Sequence, residues 1–71
     1  MPDSKFLSVL GARIRKLRLK KDMTQSELAI QCEFEKASMS RIESGQTNMT
    51  ILTMIKISKA LDIPIKDLFN D

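Results

Sequence analysis

Two short segments of helical periodicity lie between Thr24 and Gly45 with almost nothing between them, and this spacing constrains the fold more than any other feature. Thr24-Gln25-Ser26-Glu27 has the pattern of a capping box, in which the Thr24 hydroxyl accepts from the Glu27 amide and the Glu27 carboxylate returns to the Thr24 amide. It opens a helix with Leu28 and Ala29 inward that ends near Cys32. The next helix covers about residues 35–44, with Met39 and Ile42 inward and Gly45 as its stop. Only Glu33 and Phe34, with Glu35 at the boundary, separate the two. A connection this tight forces the helices to cross steeply.

Apolar residues recur at helical spacing on both sides of the pair. Phe6, Leu7, Leu10, Ile14 and Leu17 make one stripe of a helix over about residues 4–21. Thr50 caps a fourth helix reaching Leu61, whose apolar positions are Ile51, Met54, Ile57 and Leu61. Pro64 suits the first turn of a fifth helix containing Ile65, Leu68 and Phe69. Nothing alternates with period two for long enough to make a strand, so the expectation is an all-α fold of five helices. No stretch reads as linker or low complexity, and 71 residues support one small domain, expected to span 1–71.

Composition narrows the chemistry. The chain has no His and one Cys, which excludes the usual zinc site, a Cys–His nucleophile pair and a Ser–His–Asp triad. A phosphate-binding Gly loop and a paired-carboxylate motif are also missing, so no enzyme activity, metal, cofactor or small-molecule ligand is expected. One cysteine cannot close an internal disulfide, which fits a reducing, cytoplasmic setting, and Cys32 reads as a small buried core residue. No apolar run approaches the ~18 residues that span a bilayer, and no signal-peptide core opens the chain. Membrane-surface binding is disfavoured because the basic first helix needs its apolar face for the core.

The formal charge of +3 conceals an asymmetry. Residues 1–22 carry seven bases (Lys5, Arg13, Arg15, Lys16, Arg18, Lys20, Lys21) against Asp3 and Asp22, a net of +5. Residues 23–49 carry Lys36 and Arg41 against Glu27, Glu33, Glu35 and Glu43, a net of −2. A basic third fits a polyanion partner, and it fits a solvated helix face equally well. Charge alone does not settle it; the steeply crossed pair has the arrangement of a helix-turn-helix. Burying Met39 and Ile42 turns Ala37, Ser40, Arg41 and Ser44 outward and leaves Lys36 exposed in the first turn. Such a face can approach a DNA major groove, with Arg reaching guanine O6 and N7 and small side chains permitting close contact.

At this point the chain resembles the Xre/Cro-type helix-turn-helix repressors, related to the lambdoid phage repressors. The residues that carry the likeness are Leu10-Gly11-Ala12-Arg13-Ile14-Arg15-Lys16-Leu17-Arg18, Met23-Thr24-Gln25-Ser26-Glu27-Leu28-Ala29 and Ser40-Arg41-Ile42-Glu43-Ser44-Gly45. Asn48, Thr50, the stretch from Ile57 to Leu61 and Leu68-Phe69 continue it over about residues 8–69. In its compactness the chain looks especially like the controller proteins of restriction–modification systems. The resemblance implies a five-helix, lambda-repressor-like, all-α DNA-binding domain with the helix-turn-helix at its second and third helices.

Further roles follow from the resemblance. Gln25 matches a position that meets the DNA backbone or a base edge, and the amides near Thr24 and Gln25 offer donors to a phosphate. Lys36, Ala37 and Arg41 match base-reading positions, Ser38 and Ser40 are secondary candidates, and Gln46, Thr47 and Asn48 match a loop that touches the second backbone. Thr24 and Glu27 have a competing role as helix cap, and Asn48 as a turn residue. Arg18 and Glu43 match a buried ion pair joining the first helix to the recognition helix, so both read as scaffold. Glu33 replaces the glycine usual in the turn, which requires a left-handed residue or a different turn. Glu35 either accepts from a cytosine N4 or caps the third helix through its carboxylate, and the cap is preferred.

Leu52 and Ile55 make the fourth helix more apolar than one core face needs, and Ile63, Ile65 and Phe69 follow. This surplus predicts a twofold homodimer through the last two helices; the alternative is that Leu52 and Ile55 complete a monomer's core. The expected function is sequence-specific binding of double-stranded DNA at a pseudo-palindrome, regulating transcription by blocking or recruiting RNA polymerase. An antitoxin with a toxin partner is the alternative role, and a helical interaction module without DNA is the alternative class. With one core and no sensor, control is expected to come from concentration and dimerisation.

Overall fold

In the first helix, α1 (Ser4–Lys20), Leu10 and Ile14 face inward and are fully enclosed, with Leu17 packed at their edge. The computed structural model describes residues 4–69, and the side chain of Ser4 lies outside that description. Helices α2 (Gln25–Cys32), α3 (Lys36–Glu43) and α4 (Ile51–Ala60) follow, and Ile65–Leu68 forms a single closing turn. Leu28, Ala29 and Cys32 from α2, Met39 and Ile42 from α3, Met54 and Ile57 from α4, and Leu61 and Leu68 complete one core with the α1 pair. No strand occurs among the described residues.

The helix boundaries have local causes. At α2 the capping box is complete: Thr24 Oγ1 accepts from Glu27 N at 3.0 Å, and Thr24 N donates to Glu27 Oε1 at 2.8 Å. Hydrogen bonding to the carboxylate, first from the Thr24 amide and then from its hydroxyl, holds the Glu27 carboxyl below its ordinary value of 4.5. Thr50 caps α4 by accepting from Thr53 N at 3.1 Å. Each described α-helix then ends in a Schellman turn. In the turn after α2, Glu33 N donates to Ile30 O at 3.0 Å and Phe34 N to Ala29 O at 2.8 Å. The residue that turns left-handed is Gly45 after α3 but Asp22, Glu33 and Asp62 after the other three, at φ values of 55°, 62° and 57°.

Four expectations need correction. The fifth helix is not an α-helix but a 3₁₀ turn, closed by bonds from Asp67 N to Pro64 O and Phe69 N to Lys66 O, each 3.0 Å. So short a segment cannot complete the costly α-helical nucleus, and i→i+3 bonds are the solution available to it. Pro64 accordingly caps it from outside rather than occupying its first turn. Ile51 is not a core residue: it is 64% exposed, because the first side chain of α4 leans back over the cap and beyond the core. Phe6, in the first turn of α1, is likewise outside the core and 46% exposed.

Gly11 sets the spacing of α1 and α3. A Cβ there would fall against Ile42 O and within 2.6 Å of Glu43 O, so the two backbones come as close as a hydrogen atom allows. Arg13 ties α1 to the closing turn by donating from Nη1 to Leu68 O at 2.7 Å. Lys56 of α4 holds its ammonium 5.6 Å from the centre of the Phe34 ring, clamping the α2–α3 turn onto α4.

Candidate nucleic-acid interface

The buried centre of the site is a hydrogen-bonded group joining three helices. Arg18 Nε donates to Glu43 Oε2 at 2.8 Å and Arg18 Nη2 to Glu43 Oε1 at 3.0 Å, a bidentate pair that leaves both residues buried. Arg18 Nη1 donates to Met23 O at 2.8 Å, just before the α2 cap. Gln25 Nε2 donates to the same Glu43 Oε1 at 3.2 Å. The angle between α2 and α3 is thus set by polar contacts as well as by Leu28, Cys32, Met39 and Ile42 packing beneath them.

An open cleft of about 400 Å³ lies over this group, bordered by Arg15, Thr24, Gln25, Ser26, Lys36, Ser40 and Ser44, with Arg18 and Glu43 at its floor. Because Glu43 neutralises Arg18, the cleft's net charge comes from Arg15 and Lys36. The first-turn amides of α2 at Gln25 and Ser26 have no helical acceptor by position and add partial positive charge. Oriented N–H groups, hydroxyls and two cations around one concavity suit an anionic oxygen such as a backbone phosphate.

The sequence candidates divide into three groups. Thr24, Gln25, Lys36 and Ser40 meet at this cleft. Ala37 and Arg41 lie exposed on the outer face of α3. Ser38, Thr47 and Asn48 border a separate hollow with Phe34, Ile42 and Met49, and Gln46 is exposed in the same loop. Thr24 has its oxygen committed to the cap, and Ser44 Oγ is tied back to Ser40 O at 2.9 Å. Asn48 makes no side-chain hydrogen bond in the turn. Glu35 stands at the α3 cap position, but its carboxylate makes no capping bond, which corrects the preferred reading of that residue. Its backbone carbonyl accepts only the first bond of the helix, from Met39 N at 3.1 Å, so the α3 start has no side-chain cap.

Arg15 and Ser26 escaped the residue-by-residue reading. Arg15 could have been found from its place three residues before Arg18, on the same side of α1. On α4 and the closing segment, Leu52 is 63% exposed, Phe69 is also exposed and Ile55 is half-buried, while Ile63 and Ile65 pack against this chain's own core, which corrects their reading as surplus apolar surface. No metal-ligand cluster occurs among the described residues, and no helix of the described residues is long and apolar enough to cross a membrane.

The helix-turn-helix family model matches residues 14–68, from the middle of α1 to the closing turn. The chain belongs to the helix-turn-helix family. This helix-turn-helix chain is 38% identical over 63 residues to control protein C.BamHI of Bacillus amyloliquefaciens, covering 87% of this chain and 78% of that one. It is 36% identical over 62 residues to control protein C.MunI of a Mycoplasma species, covering 86% and 84%. Its fold superposes on the restriction–modification controller protein C.AhdI from Aeromonas hydrophila with a TM-score of 0.90 at 32% identity, over 92% of this chain and 98% of that one. The Xre-like resemblance carried by the α1, α2 and α3 motifs and the likeness to controller proteins therefore agree.

Proposed function

We propose that this protein is a transcriptional regulator of the restriction–modification controller type, binding double-stranded DNA as a homodimer at a pseudo-palindromic operator with α3 in the major groove. The observation that carries this is the outward face of α3: Ala37, Ser40 and Arg41 are all exposed, with Lys36 at its start beside the basic cleft. Arg41 reads a guanine edge, and Ala37 and Ser40 allow the helix to sit close. Arg15, Lys36 and the α2 amides hold the flanking phosphate. Gln46, Thr47 and Asn48 meet the backbone on the far side of the groove.

The dimer face is built on Leu52, Phe69 and Ile55, with Ile51 added to them and Ile63 and Ile65 as the support beneath. An exposed apolar surface of this kind on a small chain favours a partner of the same kind. Selection of bound sequences from a random duplex pool tests the reading. It should enrich paired half-sites about one helical turn apart, ~10 base pairs. A pool that shows no enrichment sinks the DNA reading, and a single half-site bound by a protein that sediments as a monomer sinks the dimer.

A further inference from the structure

Two concavities on the surface share one side chain. Arg15 borders the cleft over the Arg18–Glu43 pair, and it is also a wall of a shallow hollow on α1 completed by Ala12, Lys16, Leu19 and Lys20. All five residues are exposed, Leu19 at 54%. At 3.6 residues per turn, Leu19 lies one turn beyond Arg15 on the same side, while Lys16 and Lys20 lie about 100–140° further round the helix. The basic surface therefore continues from the cleft across α1. No Asp or Glu occurs between Ser4 and Lys20, and among the described residues the only acid bordering either concavity is Glu43, which Arg18 neutralises. The hollow has two chemistries. The stems of Arg15, Lys16 and Lys20 lead to a charged rim, and Leu19 and Ala12 form a floor without side-chain polar atoms. A free phosphate would use the rim alone. A DNA strand uses both, because its phosphates alternate with the apolar carbons of deoxyribose.

We propose that this α1 ridge is a second DNA contact, in which Lys16 and Lys20 hold phosphates of the duplex flanking the operator half-site while Leu19 and Ala12 lie against its sugars. The inference rests on the reading that α3 enters the major groove with a phosphate in the cleft. Lys16 points about 100° away from Arg15, so one straight row of phosphates does not serve both sides of α1. The flanking duplex leans toward α1, and the added contacts offset the cost of deforming it. Meeting no base edge, the ridge is blind to sequence. Its effect is to make affinity depend on the DNA outside the half-sites, which the α3 face alone does not.

The test varies the length of the duplex. Affinity is measured for a duplex trimmed to the selected half-sites and for one extended by about one helical turn on one side, at about 50 and 200 mM salt. The parent should bind the extended duplex several-fold more tightly at the lower salt. That advantage should shrink roughly tenfold between the two salts, as the counterions released by two phosphate contacts require. Lys16→Gln with Lys20→Gln should remove most of the advantage and leave the trimmed duplex bound nearly as before, with circular dichroism confirming the fold. Lys59→Gln with Lys66→Gln changes the net charge equally at two exposed lysines away from α1, and should keep the advantage. Equal effects of the two pairs overturn the proposal, because the advantage would then be the field of the whole chain. A parent that binds the trimmed duplex and gains nothing from the extension overturns the ridge alone, and leaves that face to an acidic protein segment. A parent that binds neither duplex refutes the operator reading and the ridge with it.

Discussion

Replacing Glu43 with alanine separates scaffold from reader. Arg18 is only 7% exposed and places three nitrogens on acceptors, two on the Glu43 carboxylate at 2.8 and 3.0 Å and one on Met23 O at 2.8 Å. Removing the carboxylate leaves a buried guanidinium with the Met23 carbonyl alone and deprives Gln25 Nε2 of its acceptor. Breaking a buried pair from one side costs about 3–5 kcal/mol. A single-core domain of this size holds about 3–5 kcal/mol in all. Glu43→Ala should therefore be largely unfolded at room temperature and lose DNA binding for that reason. Glu43→Gln keeps the volume and one acceptor and should fall between the two. Replacing both partners, Arg18→Met with Glu43→Leu, removes the stranded charge and should cost much less than the single changes combined. Urea unfolding followed by far-ultraviolet circular dichroism measures each loss, and thermal melting checks it at ~4–8 °C per kcal/mol. The reasoning fails if Glu43→Ala melts within a few degrees of the parent chain yet no longer binds DNA, because Glu43 would then be part of the reading surface.

Other perturbations test separate links. Gly11→Ala drives a methyl into the Ile42 and Glu43 carbonyls, where backbone and not a side chain must yield; a loss of at least about 2 kcal/mol is expected from urea midpoints. Glu33→Gly removes the ~1–2 kcal/mol cost of a left-handed side chain and returns ~0.5–1 kcal/mol of unfolded-state entropy, so the net should be a small gain in melting temperature. The Glu27 carboxyl is lowered in the fold, so its contribution is present above its ordinary value of 4.5 and is lost as pH falls through the folded value. Urea midpoints on the acid side of neutrality should fall less steeply with pH in Glu27→Gln than in the parent. On DNA, Arg41→Ala should cost about 1–3 kcal/mol on the selected site and relax one base position, whereas Arg15→Ala should weaken all sequences alike and lower the salt slope by about one. Titrations at several salt concentrations distinguish these two outcomes.

What could be read from the sequence was whatever a few neighbouring residues decide. Thr24 with Glu27, Thr50 ahead of α4 and Gly45 after α3 are caps whose chemistry is complete within four residues, and each stands at the expected boundary. At Glu33 the glycine of the family pattern left two readings, a left-handed residue or a different turn, and the left-handed one is what forms. The same geometry at Asp22 and Asp62 gave no such signal, since an acid after a helix is unfavourable to the helix dipole and looks like a loop residue. Ile51 and the closing turn misled for a different reason. Periodicity identifies a stripe but not where the core beneath it ends, so the stripe was extended one residue too far into α4 and a 3₁₀ turn was read as a helix. Gly11, Arg15 and the Gln25–Glu43 bond depend on how α1, α2 and α3 approach one another, which no local pattern records.

Those same three features bear on how stability and recognition are related in so small a chain. Gln25 was a candidate for DNA, yet its amide nitrogen rests on Glu43, the residue that also neutralises Arg18. The cleft floor is therefore the polar interior of the fold itself. A phosphate seated between Arg15, Lys36 and the α2 amides would lie directly above this group, so anything that shifts α3 against α1 moves the phosphate position and the Arg41 position together. Gly11 fixes that distance by backbone contact, and the Arg18–Glu43 pair fixes the angle. A domain of this size has no second core to hold a reading head independently. Register on DNA is then maintained by the contacts that keep the chain folded, and substitutions that loosen the scaffold should blur sequence preference before they abolish binding.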